Sequence, residues 1–189
     1  MVTVAAMAVP ATATAGDEPL YRPAPAWVLE AALPAQTRGS PIVLADDQRP
    51  IEEGRVSTYT DRAVRIDNPQ MLTAAGPLQS QWLPDKGDLI VHRVSIIRDG
   101  AEIDLLAGGA RFDVLRRETQ LERRVLDGSR TATMAVPGLR VGDILRITHT
   151  VTVSDQALQR EVETTALIPA EPFQAGFARL RVSLSLIHI

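Results

Sequence analysis

Between Leu89 and Ile147 the chain reads LIVHRVSIIRDGAEIDLLAGGARFDVLRRETQLERRVLDGSRTATMAVPGLRVGDILRI, and a glycine-containing pair repeatedly stops its aliphatic runs. Asp99-Gly100, Gly108-Gly109, Asp127-Gly128, Pro137-Gly138 and Gly142-Asp143 fall at intervals too short for amphipathic helices and suited to short strands. That punctuation predicts a β-rich fold.

The strand between Asp143 and Val153 is the clearest. Leu145, Ile147, His149, Val151 and Val153 fall on one face, and Arg146, Thr148, Thr150 and Thr152 on the other. Period-two alternation of this kind predicts a half-buried antiparallel strand. Leu89 to Arg98 is mostly apolar, as in a strand covered on both faces, and Asp99-Gly100 is a two-residue hairpin connection into AEIDLL. STYTDRAVRI, Ser57 to Ile66, follows the turn-like Glu53-Gly54 and reads as another strand. Thr131 to Val136 is a further one, ended by Pro137-Gly138, an order that suits a type II turn. Asn68-Pro69 opens a turn, and QMLTAAG after it fits a short helix or an irregular strand. Phe112 to Leu126 fits either a helix or a strand with a charged face, since it is rich in helix formers but carries no apolar stripe. The expected fold class is all-β, mainly antiparallel: a β-sandwich-like two-layer domain with at most one or two short helices.

At 189 residues and 45% hydrophobic content the chain suits one domain. Aromatics are only 4%, so aliphatic side chains must fill the core. The net charge of -3, with acids and bases interspersed, leaves no footprint for nucleic acid. Of 20 basic residues only Lys86 is a lysine; an arginine bias can serve phosphate or carboxylate recognition, but a GC-rich genome explains it more simply. With no cysteine, disulfides, thiolate nucleophiles and Cys-ligated metals are closed together. His92, His149 and His188 lack metal-ligand spacing, and His149 is expected as a hydrogen-bonded residue on a buried strand face.

Four segments follow along the chain. Residues 1–15, MVTVAAMAVPATATA, end in the small-x-small pattern of a signal-peptidase site but lack a basic start, and read as the remnant of a signal peptide. Residues 16–41, with Pro19, Pro23, Pro25 and Pro34, read as an extended Pro-rich segment in which AWVLEAAL makes a helical turn or two. Residues 42–182 form the β-domain. Residues 183–189 end in an apolar strand pattern without a cap and resemble the translation of a sequencing adapter, so they are expected to be a non-native tail of a truncated frame. No apolar run is long enough to span a bilayer, and the expected destination is the periplasm or another exported location.

Several elements together resemble the bacterial family called domain of unknown function 3857, in its alphaproteobacterial style, over roughly Val43 to Leu180. They are Trp82 with Pro84, VHRVSIIRDG (Val91 to Gly100), LLAGGARFDVLRRE (Leu105 to Glu118), LDG (Leu126 to Gly128) and, most specific, PGLRVGD (Pro137 to Asp143). The resemblance implies an accessory β-domain of an exported protein, preceding a transglutaminase-like Cys-His-Asp domain that this chain does not contain. It transfers no catalytic, cofactor or metal residue. The signature residues Asp99, Gly100, Asp127, Gly128, Pro137, Gly138, Gly142 and Asp143 have turn-forming work, with Asp143 able to accept from backbone N–H groups.

Other chemistry finds no support in the residues. There is no Gly-x-Ser-x-Gly elbow or phosphate loop, and Gly108-Gly109 reads as a turn rather than a dinucleotide fingerprint. Asp99 and Asp104 are imaginable as an acid/base pair but belong on exposed turns. Arg116, Arg117, Arg123 and Arg124 could meet an acidic partner, yet Glu118 and Glu122 make a self-neutralised face the simpler reading. The expectation is therefore a non-catalytic module without cofactor, positioning or protecting its downstream domain. The competing reading is a self-sufficient exported module that binds an envelope peptide or glycan.

Overall fold

A computed structural model describes residues 16–35, 37, 39–115, 128–155, 157, 161–166 and 174–184. These form β1 (Leu20–Tyr21), β2 (Ile42–Glu52), β3 (Arg55–Arg65), α1 (Pro69–Ala75), β4 (Pro77–Trp82), β5 (Leu89–Arg98), β6 (Ala101–Asp104), β7 (Asp113–Leu115), β8 (Arg130–Ala135), β9 (Ile144–Val153) and β10 (Phe177–Leu184). The larger sheet has the order β1-β5-β9-β3-β2-β10, with β6 also on β5; the smaller has the order β4-β8-β7. Pairing is antiparallel except where β1 joins β5 and β10 joins β2. The fold is all-β with a single short helix among the described residues, as the punctuation predicts.

Local signals explain these elements. Asp99 and Gly100, at φ 51° and 79°, make the tight turn between the paired Arg98 and Ala101; positive φ at both central residues is what a two-residue hairpin of primed type requires. Glu53 and Gly54, at 49° and 77°, do the same between β2 and β3. The QMLTAAG ambiguity resolves as helix α1, because the Asn68 side chain accepts from the Met71 N–H at 2.9 Å and Pro69 occupies the first turn.

The two sheets enclose an apolar core of Trp82, Leu89, Val91, Val94, Ile96, Phe112 and Met134 among others. The register of β5 against β9 slips between Val91 and Arg93. This bulge lets Leu89 and Val91 on one side of it, and Val94 and Ile96 on the other, all reach the same core.

The alternation of β9 predicts one buried and one solvated face, and here the structure differs. Arg146, Thr148 and Thr150 are 9%, 3% and 1% exposed, as buried as Leu145 at 4%. Residues 22–34 cover that polar face. They are a strap packed on the sheet, and AWVLEAAL is not helical: one turn, closed by the Val28 N–H on the Pro25 carbonyl at 3.0 Å, gives way to extended chain. The carbonyls a helix would have used internally are taken by side chains of the sheet.

At the other end, Ser183 and Leu184 pair with Pro50 and Ile51, so β10 continues two residues past Val182 into the segment read as tail. Beyond the short β7, the Phe112–Leu126 ambiguity, the Arg116–Arg124 run and Asp127 lie outside the described residues. No helix among the described residues is long and apolar enough to cross a membrane.

Candidate functional site

Four strands bring a row of charge onto the face beneath the strap. Asp46 on β2 and Asp61 on β3 are direct cross-strand partners, both fully buried. Side by side and ionised they would repel, but each is gripped from its outer side by an arginine. Arg146 of β9 donates to Asp61 at 3.0 and 2.6 Å, and Arg179 of β10 to Asp46 at 2.8 and 2.6 Å. The result is a neutral Arg-Asp-Asp-Arg row across the sheet. Two-pronged geometry and further hydrogen bonds are the conditions under which buried ion pairs persist. Burial works against the charge of Arg146, yet the bonds to Asp61 hold its pKa above the ordinary guanidinium value.

The row ends on the main chain of the strap. Arg146 donates to the Ala31 carbonyl at 2.9 Å, Arg179 to the Leu29 carbonyl, and Arg181 to the Trp27 carbonyl at 3.0 Å. Gln48, fully buried, completes the set: its Nε2 donates to the Leu29 carbonyl at 2.8 Å while its Oε1 accepts the Leu29 N–H at 3.0 Å. A carboxamide carries the same donor and acceptor as a peptide group, so Gln48 stands in for a neighbouring strand. Every second carbonyl of the strap, at residues 27, 29 and 31, thus finds its partner on a sheet side chain.

Aromatic and imidazole groups finish the face. The Trp27 ring meets Tyr59 edge-on, with centroids 6.2 Å apart, and Tyr59 stacks on His92 at 5.8 Å. Burial, reinforced by Asp61, pushes the Tyr59 phenol up to about 12. His92 makes two ring contacts: Nδ1 with the Arg22 carbonyl and Nε2 with the Thr150 hydroxyl, both 2.8 Å. The carbonyl can only accept, so Nδ1 carries the proton and Thr150 donates to Nε2 in the neutral ring. Burial lowers the His92 pKa and favours that form. A hydroxyl on an imidazole resembles a nucleophile with its base, but Thr150 is only 1% exposed beneath the strap. Ser95, opposite Arg146 in the register of β5 and β9, is fully buried with no partner for its hydroxyl.

The residues singled out by sequence lie elsewhere. Arg98, next to the Asp99-Gly100 turn, donates to Asp143 through two nitrogens at 2.8 Å each and to the Gly138 carbonyl at 2.8 Å. This gathers Asp99, Gly100, Pro137, Gly138, Gly142 and Asp143 at one end of the domain. Asp143 also accepts the Arg140 N–H at 2.7 Å, and the Arg98 bond holds its carboxyl below the usual range. Gly138 and Gly142, at φ 72° and 98°, supply the turn geometry; Gly128, at 67°, precedes β8 and takes no part in this cluster. Asp104 caps its own turn through the Leu106 and Ala107 N–H groups and forms no carboxylate pair with Asp99. His149 points from β9 to the opposite face, half-buried, and its Nδ1 is shut from solvent with no partner. The hydrogen-bonded histidine expected there is not found. Among the described residues no three His, Cys, Asp or Glu groups converge as a metal site.

What sequence reasoning missed is the strap site itself. Its signals are present: Asp46, Asp47 and Gln48 interrupt the aliphatic β2, and Arg179 and Arg181 alternate with apolar residues in β10.

The family model described as "Domain of Unknown Function with solved-structure structure (DUF3857)" matches residues 52–187. The fold is similar to that of a solved structure from Parabacteroides distasonis ATCC 8503 described as a "putative protease", with a TM-score of 0.53 and 10% sequence identity. The likeness covers 60% of this chain and 23% of the other, so the chain spans less than a quarter of that protein's length. No curated protein matches the sequence.

Proposed function

The chain belongs to the DUF3857 family, and from that membership we propose that it is a non-catalytic accessory β-domain of an exported transglutaminase-like protein. Its role is to position or protect a downstream Cys-His-Asp domain, which would use a cysteine thiolate activated by histidine to attack amide or acyl carbonyls. One observation carries the reading: the ionisable groups of the strap site are engaged with one another and with the backbone of the strap. Asp46 and Asp61 are each neutralised by two-pronged arginine bonds, Thr150 is buried beneath the strap, and both ring nitrogens of the half-buried His92 are taken, by the Arg22 carbonyl and the Thr150 hydroxyl. General acid/base work needs a titrating group free to meet a substrate proton, and these groups are already engaged within the chain. The likeness to a longer protein of which this fold makes up a minor part supports a modular role.

An acyl-transfer assay of this chain, and of any longer protein encoded in the same reading frame, tests the proposal. The expected result is no turnover by this chain alone, and turnover by the longer protein that depends on a cysteine outside it. Turnover by this chain alone, abolished by Thr150→Val or His92→Ala with melting unchanged, would overturn it.

A further inference from the structure

We propose that the polar face of the larger sheet is a peptide-binding site that reads main chain, that residues Arg22–Ala31 are its resident occupant, and that its ligand class is an extended, proline-punctuated peptide with an aromatic residue at the Trp27 position. The inference is independent of whether the parent protein is a transglutaminase.

Three features of the contact support it. First, the sheet binds the strap through its backbone: His92, Arg181, Gln48, Arg179 and Arg146 together engage the carbonyls of Arg22, Trp27, Leu29 and Ala31 and the N–H of Leu29. Main-chain hydrogen bonds carry no side-chain identity, so an unrelated extended segment can satisfy the same donors. Secondly, side-chain reading is confined to few places. Trp27 rests against Tyr59 and Ala31 is buried, whereas Leu29 is 52% exposed and Glu30 faces solvent. Ala31 is seated in a small apolar cluster with Val43, Leu44 and Ala63, and the segment is open to solvent at Leu29. Thirdly, Pro23 and Pro25 restrict φ between the clamped Arg22 and Trp27, which lowers the entropy lost when such a segment is held extended. The acetamido group of an N-acetylated glycan points its N–H and C=O in opposite directions, whereas Gln48 takes both backbone groups of one residue from one side, so the geometry favours a peptide.

In the intact chain the site is filled in cis, at an effective concentration of about millimolar for a short tether. A ligand added in trans must therefore be tested with that tether cut. Gly39 is exposed, and a Cβ built on it would touch nothing within 4 Å, so a protease recognition sequence fits after it. The probe is a fluorescent synthetic peptide of residues 22–34, titrated against the full chain before and after cleavage.

The expected result is saturable binding to the cut chain, at least tenfold tighter than to the uncut chain. Replacing Glu30 in the peptide with alanine should change affinity by less than threefold, whereas N-methylation at Leu29, or Trp27→Ala, should weaken it at least tenfold. Binding indifferent to N-methylation, or no uptake by a cut chain that keeps its fold, would overturn the proposal. Should the cut chain unfold, hydrogen exchange on uncut Gln48→Ala decides. Exchange that rises more at residues 27–31 than in β5 and β9 supports the site, and a rise no greater there than in those strands overturns it.

Discussion

The Gln48 carboxamide holds both backbone polar groups of Leu29, donating to its carbonyl at 2.8 Å and accepting from its N–H at 3.0 Å, and gives its second amide hydrogen to Asp46 at 2.9 Å. One side chain thereby joins the strap to the charge row, although Leu29 and Gln48 sit on separate segments of chain. The strap and the row should consequently fail together.

Gln48→Ala should destabilise the domain by about 2 kcal/mol in urea unfolding, because it leaves buried partners unpaired. Gln48→Glu should cost more. Its carboxylate still accepts the Leu29 N–H but opposes the Leu29 carbonyl and Asp46, where the amide donated. A Glu variant as stable as wild type would contradict the assigned amide orientation.

Removal of one member of a buried ion pair leaves the other uncompensated. Arg146→Met is expected to cost about 3–5 kcal/mol, and the combination with Asp61→Leu to be less destabilising than the sum of the two single changes. A double-mutant cycle by thermal unfolding measures that coupling.

Stability should fall on acidification from neutral pH. Burial lowers the His149 pKa from 6.5 to about 4, so the unfolded chain takes up this proton near pH 6.5 and the folded chain only near pH 4. Between those values the unfolded state binds more protons, and the stability present above pH 6.5 is lost progressively toward pH 4, by up to about 3 kcal/mol. His149→Phe should flatten that part of the pH profile. His92, lowered by burial despite its bond to the Arg22 carbonyl, adds to the slope in the same direction.

Gly87→Ala should be among the most damaging single changes. A Cβ at this position would lie 2.0 Å from the Thr152 carbonyl oxygen and 2.7 Å from the Thr152 hydroxyl, which accepts the Asp88 N–H at 2.9 Å. Backbone cannot yield as a side-chain tip can, so the loop before β5 must move. The expected outcome is a loss of more than about 3 kcal/mol or failure to fold, read by circular dichroism and melting.

How far the sequence could be read depended on whether an element's signal was local. The β5–β6 hairpin was legible because Asp99-Gly100 carries its turn conformation in the residue types. The strand β9 was legible because alternation is a local pattern. That its polar face is buried was not, since the cover comes from residues 22–34, and only the assembled sheet shows that Arg146, Gln48 and Arg179 take the place of water. The strap, read as mostly extended with a helical turn or two, holds one turn and is otherwise extended. AWVLEAAL has good helix formers, but propensity is a weak prior, and the carbonyl partners supplied by the sheet outweigh it. The turn signature at Pro137–Asp143 told of the fold and was silent about the candidate site, which lies on another face.

The parallel pairing of β2 with β10 sets an order of events during synthesis. The strap emerges long before β10, since Arg179 and Arg181 lie 150 and 154 positions after the residues whose carbonyls they hold. At ribosomal speeds of about 5–20 residues per second, Leu29 and Trp27 wait about 8 to 30 seconds for those arginines. Until then Asp46 lacks its counter-charge and the nascent β2 has an open edge. A chain stalled before Phe177 should leave both the amino-terminal segment and that edge available to chaperones, and arrest at this point offers a way to catch the domain with its face unsealed.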